Sequence, residues 1–179
     1  MIPETEKKII TKVEILKSLN DTDLADLCNI TEQAIGAGGG FGWLKSPPRD
    51  NLNKFWRGVV MMPNRKLVVG RLNDAIAGTL QIIFQPTNNE AQQNIMTIIS
   101  HFVAPWARGF GLAKLMIDRS EDIAIENGAN CVQLDVRETQ KAAIKLFESK
   151  GYQRWGINPN YATVNGTNIK GFYYYKTLK

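Results

Sequence analysis

The stretch from residue 94 to residue 127 constrains the fold most. Residues 94–103 (Asn-Ile-Met-Thr-Ile-Ile-Ser-His-Phe-Val) are apolar on both faces, the pattern of a central strand covered on both sides. Pro105 stops that strand. Arg108-Gly109-Phe110-Gly111-Leu112-Ala113 then turns the chain into a segment with Leu112, Leu115, Met116 and Ile123 on one stripe, which predicts a helix over residues 111–127 packed on a sheet. The first amides of such a helix have no intrahelical partner, and the helix dipole adds partial positive charge there. Small residues at 109, 111 and 113 let an anion approach the backbone, and Arg108 adds a fixed charge at the rim. A glycine-rich turn that merely closes a strand–helix corner has the same residues. As a binding site, this stretch suits a phosphorylated ligand.

The common nucleotide loops do not match. A P-loop ends in Gly-Lys-Ser/Thr, which is absent. A dinucleotide fingerprint needs a third glycine where Lys114 stands, and it opens its fold rather than following residue 100. With a single histidine, a Cys/His zinc site is excluded, and no metal is expected. Cys28 and Cys131 each sit in an apolar pattern and are expected as reduced, buried thiols. The formal charge of +5 comes from scattered Lys and Arg, without a basic run interleaved with aromatics, so a nucleic-acid module is disfavoured. No apolar run reaches the ~20 residues of a membrane span. Residues 1–8 lack the apolar centre of a signal peptide, and a cytoplasmic location is expected.

The remaining segments read in order. Residues 12–16 form a strand. Asn20 caps a helix bearing Leu24, Leu27, Cys28 and Ile35, which ends in glycines. Residues 36–43 make a glycine-rich loop carrying Phe41 and Trp43. Pro47-Pro48 precedes a helix over 50–60. Strands at 66–72 and 75–84 meet at Asn73-Asp74, and residues 86–90 are a polar loop. Residues 131–136 are a buried strand and 141–150 a helix with Ala143, Leu146 and Phe147 facing in. Asn165-Gly166 closes a last hairpin. Two strands joined by a helix, near 94–136, should be parallel, and the hairpins make the rest antiparallel. The expected architecture is one mixed α/β domain over residues 1–179.

Two motifs resemble one family. Arg108-Gly109-Phe110-Gly111-Leu112-Ala113, after a strand ending Phe-Val-x-Pro, resembles the R/Q-x-x-G-x-G/A acetyl-CoA signature of the GNAT superfamily, the GCN5-related N-acetyltransferases. Leu134-Asp135-Val136, followed by Ala143 to Tyr152, resembles that family's second block. The resemblance implies a mixed, mostly antiparallel sheet with one parallel pair splayed for CoA and about four flanking helices. It implies an N-acetyltransferase moving acetyl from acetyl-CoA to a primary amine of a small molecule or peptide by direct attack, without a metal. Phe102, Val103, Arg108, Gly109, Phe110, Gly111, Leu112, Ala113, Gln140 and Phe147 would hold the cofactor. Phe41 and Trp43 would wall the acceptor site.

The chain departs from the family at two points. Gln140 stands where an Asn often begins the second block, and Phe147 replaces a Tyr that serves many members as general acid. Some relatives place a Tyr in the segment beyond the second block, so the resemblance implies Tyr161 as the candidate acid. His101, the one side chain ordinarily titrating near neutrality, is the candidate base, with Glu90 and Glu138 behind it; in an unbroken strand it shares a face with Ile99 and Val103, which is equally the pattern of a core histidine. Phe147 also keeps open a CoA-binding regulatory module without turnover, and the basic charge permits acylation of an aminoacyl-tRNA. A homodimer is permitted.

Overall fold

The computed structural model describes residues 9–39 and 41–179. Residues 1–8, read above for a leader, and Gly40 of the aromatic loop lie outside the described residues. The elements follow as β1 (Thr11–Leu16), α1 (Asp21–Gly36), α2 (Arg49–Met61), β2 (Arg65–Leu72), β3 (Ala75–Phe84), β4 (Ile95–Val103), α3 (Leu112–Glu126), β5 (Cys131–Arg137), α4 (Lys141–Ser149), β6 (Gln153–Val164) and β7 (Thr167–Thr177). The seven strands form one sheet in the order β1-β2-β3-β4-β5-β7-β6. Among the described residues only β4 and β5 run parallel, as a helix-linked pair must; the other pairs are antiparallel. The mixed sheet with one parallel pair and four helices is the architecture the sequence predicts.

Local chemistry sets the boundaries. Asn20 caps α1 by accepting the Asp23 amide at 2.8 Å. Pro48 precedes the first turn of α2. Asn73 takes a positive φ of 54° in the β2–β3 turn, and Asn165 and Gly166 do the same between β6 and β7.

The sheet carries a core on each face. Val68, Leu80, Ile82, Met96, Val132 and Leu134 pack with α3 and α4, and Leu67, Val69 and Ile76 pack with α1 and α2. Trp56 is fully buried there and donates its indole N–H to Thr31 at 3.1 Å.

Four expectations about facing need adjustment. Leu115 is 40% exposed; α3 buries Met116, Ile117, Ser120, Ile123 and Ala124 instead, one helical step round from the stripe read in the sequence. On α4 Ile144 joins Phe147 in the core, and Ala143 and Leu146, half-buried against it, also line an open cavity. Both cysteines are free, but Cys131 is only half-buried. His101 does not share a face with Ile99, because β4 contains a bulge. Gln81 pairs with Ile99 and Thr79 with Phe102, so β4 spends one residue more than β3. Ser100 absorbs it at φ 50°, and its carbonyl accepts the Thr79 hydroxyl at 3.1 Å. Beyond the bulge, Phe102 packs on Phe41 with ring centroids 5.0 Å apart, and His101 meets Phe147 at 5.6 Å.

Candidate active site

The parallel pair opens like a V. β4 and β5 are bonded only from Ile95/Cys131 to Thr97/Gln133. Beyond that, residues 98–103 and 134–137 face each other without a ladder, and both line a cavity of about 1060 Å³. The unpaired strand edges leave backbone donors and acceptors turned into the gap, which an extended amide-bearing chain can satisfy.

At the wide end lies the cradle. Gly109 and Gly111 adopt φ of 89° and 77°, a region costly for most L residues. A Cβ built at either would meet no protein atom within 4 Å, so backbone conformation rather than packing requires glycine. Leu115 makes the first bond of α3, to the Gly111 carbonyl at 3.1 Å, which leaves the earlier amides free of helical partners. Arg108 and Ala113 line the cavity. Leu112 is 1% exposed, so only its backbone can serve a ligand, and Phe110 is exposed at the rim. Orphaned amides, open space before two glycines and a cation fit a pyrophosphate.

The expected acid–base groups separate in space. Tyr161 reaches the cavity because β6 bulges: Asn158 pairs with Gly171 and Ala162 with Ile169, so residues 159–161 leave the ladder. The Tyr161 ring lies over Gly171, where any Cβ would collide with it. Its hydroxyl donates to the Asp135 carboxylate. Burial first, and that bond second, raise the Tyr161 pKa well above its usual range, so the phenol keeps its proton.

His101 also lines the cavity, with Nε2 shut off from solvent and without a protein partner. Desolvation lowers its pKa to about 4, against a smaller opposing effect from a backbone hydrogen bond at Ala113. It is therefore neutral at physiological pH. Glu90 is exposed in the turn before β4, roughly 26 Å of strand from Val103, and does not line the cavity. Glu138 accepts the Lys170 amide at 2.9 Å and braces the start of β7 rather than the site.

The loop between α1 and α2 closes one side. Phe41 is buried, between Phe102 and Trp43. Trp43 packs on Phe55 and does not line the cavity; Leu44 does, 52% exposed. Arg137 donates to the Phe41 carbonyl at 2.6 Å and Gln140 to the Gly38 carbonyl at 2.8 Å, so in this structure Gln140 clamps the loop. Phe147, 4% exposed, forms the floor between His101 and Tyr152.

Asp135 and Arg137 received no role from the sequence. Their signal was present: Val132, Leu134 and Val136 alternate with Gln133, Asp135 and Arg137, so one face of β5 is core and the other polar. Among the described residues, Asp135 is the one carboxylate lining the cavity.

A splayed strand pair leading to an anion cradle suits an extended phosphorylated ligand. The comparisons agree. The model of the Acetyltransferase (GNAT) family matches residues 26–152. An uncharacterized N-acetyltransferase from the hisH-hisA intergenic region of Azospirillum brasilense is 45% identical over 129 residues, 72% of this chain and 77% of that protein. Among solved structures, yncA from Salmonella typhimurium, determined with its cofactor acetyl-CoA, superposes with TM-score 0.75 at 15% identity, over 94% of each chain. An N-acetyltransferase from Staphylococcus aureus Mu50 superposes with TM-score 0.79 at 19% identity, over 95% of this chain and 99% of that one. The chain belongs to the GNAT family and is an acetyl-CoA-dependent acyltransferase. Among the described residues, no helix is long and apolar enough to cross a membrane.

Proposed function

We propose that this acyltransferase moves acetyl from acetyl-CoA to a primary amine of a small molecule or peptide by direct attack on the thioester. The observation that carries this reading is the continuity of one cavity from the Arg108–Ala113 cradle, along the open β4–β5 edges, to the Asp135–Tyr161 pair.

The amides of residues 109–114 and the Arg108 guanidinium would hold the pyrophosphate. The free backbone edge around Phe102 and Val103 would align the pantetheine arm, and Phe147 and Leu146 would keep water from its end. When bound, the cofactor supplies an acyl carbon activated by its thioester. One C–N bond forms and one C–S bond breaks. An ammonium acceptor sheds two protons in becoming an amide. Asp135 takes the first and releases it to solvent. It takes the second from the attacking nitrogen as Tyr161 protonates the departing sulfur, and then refills Tyr161 through their hydrogen bond. His101, kept neutral by burial, offers its free ring nitrogen as a hydrogen-bonding group rather than as a base. Neither cysteine lines the cavity and burial raises both thiol pKa values, which favours direct transfer over an acyl-cysteine.

The test is thiol release from acetyl-CoA with a panel of primary amines. Amine-dependent release that Tyr161→Phe lowers, without weakening acetyl-CoA binding, supports the reading. Tight acetyl-CoA binding with no release on any amine defeats it.

A further inference from the structure

The acceptor end of the cavity has a charge pattern of its own. Asp135 and Arg137 sit two positions apart on β5, so both project on the face away from Leu134 and Val136, toward the α1–α2 loop. Positions two apart on a strand lie roughly 6.6 Å from each other. The two charges do not pair with each other. Asp135 accepts only from Tyr161, and Arg137 donates only to the Phe41 carbonyl, through Nη2, among the described residues. The carboxylate therefore keeps acceptor capacity, and the guanidinium keeps most of its five donors. Tyr161 stands beside Asp135 and lines the same cavity as Arg137. Phe41 and Leu44 add an apolar wall to the same cavity.

We infer that the acceptor is an α-amino acid, its ammonium on Asp135 and its carboxylate on Arg137, with an apolar side chain against Phe41 and Leu44. This rests on the reading of the protein as an amine acetyltransferase, and it narrows the amine to one bearing an adjacent carboxylate. An ammonium and a carboxylate separated by one carbon bridge the interval between the two side chains with a charge-assisted hydrogen bond on each side. A polyamine would meet Arg137 and Lys141, both cavity-lining cations, as repulsive neighbours. Arg108 at the cradle is assigned to the donor, so it does not compete for the acceptor.

The amide product balances. The α-amino nitrogen loses two protons, one to solvent through Asp135 and one to the departing sulfur through Asp135 and Tyr161. The α-carboxylate and Arg137 remain charged throughout.

The test compares each of L-leucine, L-methionine and L-phenylalanine with its decarboxylated amine and its carboxamide, by thiol release from acetyl-CoA. The amino acid should exceed both analogues in kcat/KM by at least about 100-fold, because an analogue without the carboxylate leaves the Arg137 guanidinium in the cavity without that partner. Arg137→Gln should bring the ratio to within a few-fold of one, and Arg137→Lys should restore part of it. Calorimetry with acetyl-CoA should change by less than about twofold in both variants, which separates loss of acceptor recognition from loss of fold. Equal or better turnover of the decarboxylated amines overturns the inference and leaves the acetyltransferase reading standing. An amino-acid preference that survives Arg137→Gln overturns the assignment to Arg137. No release with any of the nine compounds overturns the inference, and the wider amine panel then decides the parent reading.

Discussion

Replacing Gly111 by aspartate and, separately, by asparagine separates charge from shape in the cradle. Gly111 has φ 77°, and a side chain there meets no protein atom, so both residues enter open space in front of the first amides of α3. Asn and Asp are the non-glycine residues that visit the left-handed region most readily, at a cost of about 1 kcal/mol that is nearly equal for the two. The shared shape then cancels. What differs is one negative charge placed ~5 Å from a pyrophosphate. At an effective dielectric near 20, one unit pair at that distance repels by about 3 kcal/mol. The aspartate variant should therefore bind acetyl-CoA at least ~100-fold more weakly than the asparagine variant by calorimetry. Raising ionic strength should narrow the gap. Thermal unfolding should favour the aspartate variant slightly, since a carboxylate at a helix N-terminus is stabilising. Equal affinity of the two variants, with both folded, would refute a pyrophosphate at this turn.

Further outcomes follow from the site. Tyr161→Phe should lower kcat by about 100- to 1000-fold with acetyl-CoA affinity unchanged, the range for a lost proton donor. Gly171→Ala should cause a comparable loss, because the new methyl displaces the Tyr161 ring; unchanged turnover would mean that the ring position is unimportant. Thr79→Val removes the bond that pins the Ser100 bulge and should cost about 1 kcal/mol by denaturant unfolding. His101 is neutral when folded, with a pKa of about 4 against about 6.5 unfolded. The unfolded chain then binds more protons between those values, so stability should fall by up to about 3 kcal/mol as pH drops from 6.5 to 4. His101→Gln should flatten that slope, and a slope that persists would place its origin elsewhere.

Much of this site was legible in the chain. The anion turn announced itself because helix capping and glycine's freedom at positive φ are local properties, set within six residues. Element order was legible for the same reason, since strand alternation, Asn73, Pro48 and Asn165-Gly166 act on their neighbours. The bulges were not. Ser100 looks like any polar residue in a strand, and its left-handed turn depends on the Thr79 hydroxyl one strand away. That single extra residue reverses the facing of His101 and Phe102 relative to an unbroken strand. Tyr161 was found as a residue type, but its aim comes from three residues leaving the β6 ladder over Gly171. Gln140, which lines the cavity, and Trp43 take contacts that the sequence does not show. Each is engaged by the α1–α2 region, Gln140 at Gly38 and Trp43 on Phe55, contacts spanning long separations or set by packing. Asp135 and Arg137 carried a readable alternation, but their meaning depends on β4 parting from β5, a tertiary event.

Amide hydrogen exchange with and without acetyl-CoA tests the donor site most directly. The account predicts new protection at the amides of residues 109–114 and along residues 98–103, with β1 and the β2–β3 turn unchanged. Protection that appears elsewhere and leaves residues 109–114 exchanging as before would contradict it.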